Sequence, residues 1–349
     1  MRLPYASFAV IGLAASLLSA QSMEKAVAKI GAAGAKAYLK PVVTAFGSNM
    51  NAGWYHHPPQ PVKYGFQVRA GLGGSGTLLR TSDAIHTRDR MALDTSLSNA
   101  LIAAATATPA QRDSLRLRLA REPQDVILEG PAVTGDEGRQ MRVIWTGRTV
   151  ATGVPGDSVF IPSDTVTITN LNGLLDGMTS MTLFAPQINL GTLYGTHATL
   201  RWLPHYELRD EVGPIQYFGF GIQHNPAVWL KPGQRLPVDL SLGFAHQSLE
   251  GSFFQARTWS SGLHVSKSYG WAFAAATPYL GAQYERASFD VAYDLTAFET
   301  THRVKTTIHG ENTWRLTGGV SLRLLAIHVN VEASYAENPS AAYNIMIGI

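Results

Sequence analysis

His56 and His57 stand side by side before Pro58-Pro59, and Gly71-Leu72-Gly73-Gly74-Ser75-Gly76 has the spacing G-x-G-x-x-G. Two such features invite metal or nucleotide chemistry. Adjacent histidines in an extended segment point apart, and no H-E-x-x-H or histidine pair at helical spacing accompanies them, so the pair reads as a structural loop. A dinucleotide fingerprint needs a helix that opens at its glycines inside a parallel βαβ unit. Thr77 to Ser82 has no helical pattern, and the glycine run reads as a flexible turn at a strand end. Gly73 to Thr77 fails as a nucleophile elbow too, because Thr77 stands where the closing glycine belongs. With no cysteine in the chain, thiol catalysis and thiolate zinc sites drop out. The expectation is a protein that is not an enzyme, with no catalytic residue, no metal site and no cofactor.

The residues that carry information are polar ones set at a period of two. Trp314, Leu316, Gly318, Val320, Leu322 and Leu324 alternate with Arg315, Thr317, Gly319, Ser321 and Arg323. Ile327, Val329, Val331, Ala333 and Tyr335 alternate with His328, Asn330, Glu332 and Ser334. Phe289, Val291, Tyr293 and Leu295 do so with Asp290, Ala292, Asp294 and Thr296. A period of two puts one set on each face of a strand. Leu236 to Phe244 reads the same way, and further strands are expected around 181–192, 194–203, 213–224, 258–267 and 271–285, with short connections at Asn225-Pro226 and Lys231-Pro232-Gly233.

A sandwich buries the apolar face and a membrane barrel turns the same face to lipid. Runs of about 9 to 11 residues suit spanning strands, whereas sandwich strands average nearer five or six. Trp202, Tyr206, Trp229, Trp259, Tyr269, Trp271 and Trp314 near the strand ends suit interfacial girdles. Tyr343, Ile345, Ile347 and Ile349 make a last alternating strand at the C-terminus, placed to close a barrel on its first strand. On this reading Arg201, Asp239, Asp290, Asp294, Arg315, Arg323, His328, Asn330 and Glu332 point into the lumen, filling it or lining a solute path. Val329→Arg, on the lipid face, should block insertion, and Asn330→Arg should be tolerated.

The remaining segments set the context. Arg2, the apolar run Phe8 to Leu18 and Leu18-Ser19-Ala20 before Gln21 have the form of a secretory signal over residues 1–20. Met23 to Leu39 has helical spacing, with Pro41 ending that helix or starting another, so residues 21–61 form a helical or plug segment. Residues 62–349 form the barrel, interrupted by a loop or insertion around 79–180. There Thr108-Pro109-Ala110-Gln111 opens a basic helix with a capping box, and Gln140 to Val150 and Asp164 to Asn170 could each be a strand. Across 349 residues, 45% hydrophobic and 15% charged with 33 glycines, the net charge is only +3, which supplies no phosphate-neutralising excess and excludes nucleic acid as partner.

The block YLKPVVTAFGSNMNAGWYHH (38–57), followed by a strand beginning KYGF, resembles the N-terminal signature of an uncharacterised family of outer-membrane proteins. APQINLGTLYGTHATLRWLP (185–204) and YFGFGIQHNPAVWLKPGQRLPVDLSLGF (217–244) are similar to that family's strand, hairpin and H-N-x-x-x-W-L-P succession, with LKP here in place of the shorter LP. The resemblance singles out Asn51, Gly53, Trp54, Tyr55 and His56 and implies a β-barrel. A helix before the barrel is similar in arrangement to the long-chain fatty-acid transporters of the outer membrane.

The expected fold is all-β: an antiparallel transmembrane barrel of about 12 to 14 strands with an N-terminal helical segment. Its home would be the outer membrane of a Gram-negative envelope. The expected partners are outer-membrane lipid and lipopolysaccharide, the barrel assembly machinery and a small hydrophobic solute. Passive passage of that solute is the leading functional expectation. A non-transporting envelope barrel is the alternative, and a secreted soluble β-sandwich the third.

Overall fold

The computed structural model describes residues 24, 26–80, 84–207, 214–231, 236–251, 254–271, 273–297 and 300–349. The signal segment expected over 1–20 lies outside the described residues. Among the described residues no helix is long and apolar enough to cross a membrane.

Ten antiparallel strands close a ring: β1 (Tyr64–Leu78), β8 (Ser180–Leu193), β9 (Thr196–Glu207), β10 (Pro214–His224), β11 (Asp239–Glu250), β12 (Phe254–Ser266), β14 (Ala274–Ala297), β16 (Trp314–Leu324), β17 (Ile327–Tyr335) and β18 (Ser340–Gly348). Closure is made where β1 meets β18, with Gly71 opposite Met346, and where β12 meets β14, with Trp259 opposite Arg286. A closed ring leaves no unpaired edge, which is the condition for strands to stand in lipid. The ring is smaller than the 12 to 14 strands expected. The segments read as separate strands at 271–285 and 289–295 are one strand of 24 residues, β14, and the strands of the insertion lie outside the ring. Two extra pieces, β13 (Tyr269–Gly270) and β15 (Thr300–His309), pair, among the described residues, with β14 alone.

Between β1 and β8 the chain builds a separate unit at one rim. β2 (Ile85–Met91), β3 (Gln124–Gly130), β4 (Gln140–Trp145) and β7 (Asp164–Asn172) form one small sheet, and β5 (Arg148–Ala151) and β6 (Ser158–Ile161) another. Beside them lie helices α2 (Thr95–Ala103) and α3 (Pro109–Arg121). In α3 the Thr108 side chain accepts from Gln111 N while the Gln111 side chain accepts from Thr108 N, the reciprocal cap that the T-P-A-Q spacing predicts. Trp145, Leu128, Val143 and Ile161, all fully buried, anchor this unit's core.

Helix α1 (Ala32–Met50) ties the unit to the ring. It continues through Pro41, where a helix end or a new start was expected. Proline removes one helical hydrogen bond, but Val42 to Met50 are all buried and tertiary packing holds the turn. The N-terminal end of α1 has no capping side chain or acidic residue of its own. Asp89 on β2 fills that role, its Oδ1 accepting from Ala33 N at 3.2 Å, and a Cβ on Gly31 or Gly34 would meet that carboxylate at 2.6 Å. Helix N-termini favour such an acceptor.

Candidate functional site

The inner wall of the ring is polar, and among the described residues the space it encloses is occupied by the chain's own N-terminal segment. After Met50 the chain leaves the rim unit, runs down the lumen as an extended segment and emerges at the opposite rim, where β1 begins. Each step of that descent is fixed by a side chain from the wall. Ser48 O and Oγ accept from Arg315 Nη2 at 2.6 and 2.9 Å, and Arg315 Nε donates to Glu285 Oε2 at 2.8 Å in a fully buried pair. Gln247 Nε2 donates to Asn51 Oδ1 at 3.1 Å. Gly53 N donates to Glu332 Oε1 at 3.0 Å, and Gly53 O accepts from Arg201.

Gly53 is required twice over: its φ is +69°, and a Cβ would sit 2.6 Å from that of Ala342. The Trp54 indole lies under the Arg201 guanidinium, 4.2 Å from ring centre to Cζ. It fits because Gly219 and Gly221 on β10 have no side chain, and a Cβ on either would stand within 3 Å of the ring. Tyr55 stacks on His264 at 4.2 Å and donates to Ser266 Oγ at 3.0 Å, while its carbonyl accepts from Asn330 at 3.2 Å. His56 Nε2 lies 2.7 Å from Gln187 Nε2, and Gln187 Oε1 accepts from Arg201 Nε at 2.8 Å. Asn225 then donates to Pro59 O at 2.9 Å, closing the descent at the far rim.

All five residues of the family-like block therefore lie in the lumen, and Arg201, Arg315, Asn330 and Glu332 on the wall face that segment. Asp239, Arg323 and His328 share that inner face but stand half-buried at the far mouth, where Arg323 donates to Trp271 O at 3.2 Å. Asp290 and Asp294 do not face the lumen. Their strand keeps its parity, but past Glu285 the inward residues become Ala287, Phe289, Val291 and Tyr293, all buried against α1 and the rim unit. Tyr293 Oη donates to Ile30 O at 3.1 Å, and Asp294 pairs with Arg303 on the solvent side at 3.0 Å. The expectation failed because the apolar face met a packed core there instead of lipid.

Two further readings change. The glycine run is not a turn but the middle of β1, where Gly73 leaves room for Gln187, Asn344 and Arg201. Asn330, 2% exposed, has no space for an arginine. Asn225 and Trp229 of the H-N-x-x-x-W-L stretch form the far rim: Asn225 caps a short 3-10 turn, Pro226–Trp229, and Trp229 stacks on Tyr194 at 5.8 Å. Gln187, Gln247, Ser48 and Glu285 were not singled out by sequence. Only Glu285, an inward acid in an alternating run, left a signal there.

Ring and filling together define the class: a closed antiparallel β-barrel occupied by its own N-terminal segment. The chain belongs to the Family of unknown function (DUF6588), which it matches over residues 2–349. Curated proteins hold no match to it. Among solved structures it is similar to the outer membrane protease OmpT of Escherichia coli, at 8% identity and TM-score 0.25 over 83% of this chain and 98% of that one. OccK2 (OpdF) of Pseudomonas aeruginosa follows at 6% identity and TM-score 0.12, covering 80% and 97%. A mutant porin of Rh. blastica gives 8% and 0.11, covering 80% and 100%. Likeness this weak transfers no role.

Proposed function

We propose that the protein is a non-enzymatic outer-membrane barrel whose lumen is sealed by residues 51–61 and which carries the helix and sheet unit of residues 85–172 at its outer rim. One observation carries the reading: the two faces of the ring are opposite in character. Outside, Leu280, Ile347 and Leu316 are 71%, 64% and 60% exposed, amid a belt continued by Leu200, Ile222, Leu242 and Val331. An apolar patch of that extent is a membrane-contact surface. Inside, Arg201 and Glu332 are buried and spent on the plug, and Arg315 is buried and spent on Glu285 and on Ser48 near the end of α1.

Tight turns at Tyr194-Gly195 and Leu325-Ala326 share one rim with the 225–238 connection, and the far longer insertion of 79–179 occupies the other beside the 336–339 turn. Spanning barrels keep short turns on the periplasmic side and long connections outside, which supports an outward-facing rim unit. Its partners are then outer-membrane lipid, lipopolysaccharide and, during insertion, the barrel assembly machinery.

Two voids lined by described residues lie between plug and wall, of about 20 and about 10 Å³, each with room for a single water at most. Passage of a small hydrophobic solute, the second reading, would require the plug to shift. It is favoured by the plug's attachment through hydrogen bonds, which water can replace. Planar-bilayer recording separates the two. The native protein should show no unit conductance, and Trp54→Ala/Tyr55→Ala, which removes two fillers, should conduct. A conducting native protein, together with loss of solute uptake in a deletion strain, would replace the sealed reading by transport.

A further inference from the structure

We infer that the outer wall of the barrel binds the phosphorylated headgroup of a glycolipid in the cleft where β14 forks out of the ring. This deepens the outer-membrane reading and rests on it. Up to Tyr284 β14 pairs with β16, and from Ser288 onward with β15. The two partners diverge between those residues, and the chain joining them crosses the gap, held by Glu285 N donating to Thr313 O at 2.9 Å and Gly310 N to Ala287 O at 3.1 Å. The fork leaves a cleft of about 540 Å³ on the outer surface.

Its chemistry is specific. His246, Trp259 and Arg286 stand side by side across three strands and face outward, and Arg257 and His309 lie one step further towards the rim unit. Arg286 makes no ion pair among the described residues; its Nε donates to Tyr284 Oη at 2.7 Å. Arg257 donates to Gln255 on its own strand and, among the described residues, has one acid near it, Asp290, at 3.6 Å across exposed surface, a separation that holds a guanidinium weakly. Two guanidinium groups converging on one cleft suit a phosphate.

Asn312 supplies an independent indication. It borders the cleft, is 5% exposed, and neither its carboxamide oxygen nor its nitrogen has a hydrogen-bond partner. A buried donor and acceptor left open together are costly, and a ligand hydroxyl beside the phosphate answers both. Trp259, Tyr284 and Trp314 form an aromatic wall, with ring centres 5.5 and 5.3 Å apart, suited to the face of a sugar. Directly below it the wall turns apolar at Leu280 and Leu316, where acyl chains would lie. Phosphate, hydroxyl-bearing ring and hydrocarbon in that vertical order describe a phosphorylated glycolipid of the leaflet next to the rim unit.

The full chain, purified in detergent and checked for heat-modifiable migration, would be titrated with lipopolysaccharide, dephosphorylated lipopolysaccharide, phosphatidylglycerol and inorganic phosphate. Lipopolysaccharide should bind, with at least tenfold weaker binding after dephosphorylation and an equal loss in Arg257→Ala/Arg286→Ala. These side chains are exposed, so the variant should keep the native heat shift. Asn312→Leu should weaken lipopolysaccharide while leaving any residual phosphate binding alone. Equal binding by native and double-variant protein would overturn the site and leave the barrel reading standing. Equal affinity for phosphatidylglycerol would overturn the glycolipid assignment, and full competition by inorganic phosphate would reduce the site to an anion site. A soluble protein without a heat shift would overturn the membrane reading itself, and the lipid site with it.

Discussion

Arg315 and Glu285 are the one ion pair buried on both sides among the described residues. Removing one partner of such a pair leaves a charge without solvent or counter-ion. Arg315→Ala should therefore destabilise the barrel by about 3–5 kcal/mol, read as a lower urea midpoint for loss of the heat-resistant band. Arg315→Met with Glu285→Leu should restore much of that, and a double variant as weak as the single one would contradict the account. Asp89 makes a second test, away from the spanning strands. Burial pushes its carboxyl up from the ordinary value of 3.8, against backbone donors that pull it down. The folded state then holds the proton more tightly than the unfolded one, so this contribution to stability is largest below 3.8 and declines as pH rises through the raised value. The urea midpoint of the outer unit should fall as pH rises above about 4, and fall less in Asp89→Asn; identical slopes would remove Asp89 as the cause. At this scale Arg201, Arg315, Asn330 and Glu332 were legible because alternation assigns parity. Parity does not say what covers a face, which is why Asp290 and Asp294 were misplaced. Gln187, Gln247 and Ser48 are neutral residues whose partners lie far away in the chain, so nothing local marked them.

Strand β14 shows how an element can change environment without changing its conformation. Over Leu280 to Glu285 its outward residues are apolar and its inward ones polar; from Arg286 to Asp294 the chemistry inverts at constant parity. That inversion marks the upper edge of the apolar belt, and alternation alone does not reveal it, because the parity of Asp290 and Asp294 stays the same while the environment of each face changes. The length of the strand was not readable, since a continuous run and two strands joined by a tight turn alternate alike. On β17 the belt offers a clean contrast. Val331, 52% exposed on the outer wall, should as Val331→Arg cost about 2–4 kcal/mol near the midplane and lower the yield of inserted protein. Asn330→Arg should also fail, by overpacking against Tyr55 and Tyr279, with the inserted band present but loosened to protease. Tolerance of Asn330→Arg would mean that the lumen is roomier than the contacts around Tyr55 imply. Helix α1 teaches the reverse lesson: Pro41 argued locally for a break, and burial on every side of Val42 to Met50 overrode it.

At the scale of the molecule, the descent of residues 51–61 through the ring has a mechanical consequence. The barrel is a collar threaded by its own chain. On one side the thread is continuous with β1 and so with the collar itself. On the other it ends in a knob, α1 packed with the sheet of β2, β3, β4 and β7, four strands wide at about 4.8 Å per strand and far broader than the single extended chain the collar admits. The knob cannot slip through, and the thread cannot be drawn out towards the short turns while the knob stays folded. Expelling the thread in that direction and melting the outer unit are thus a single event, so whatever steadies that unit from outside also bolts the barrel.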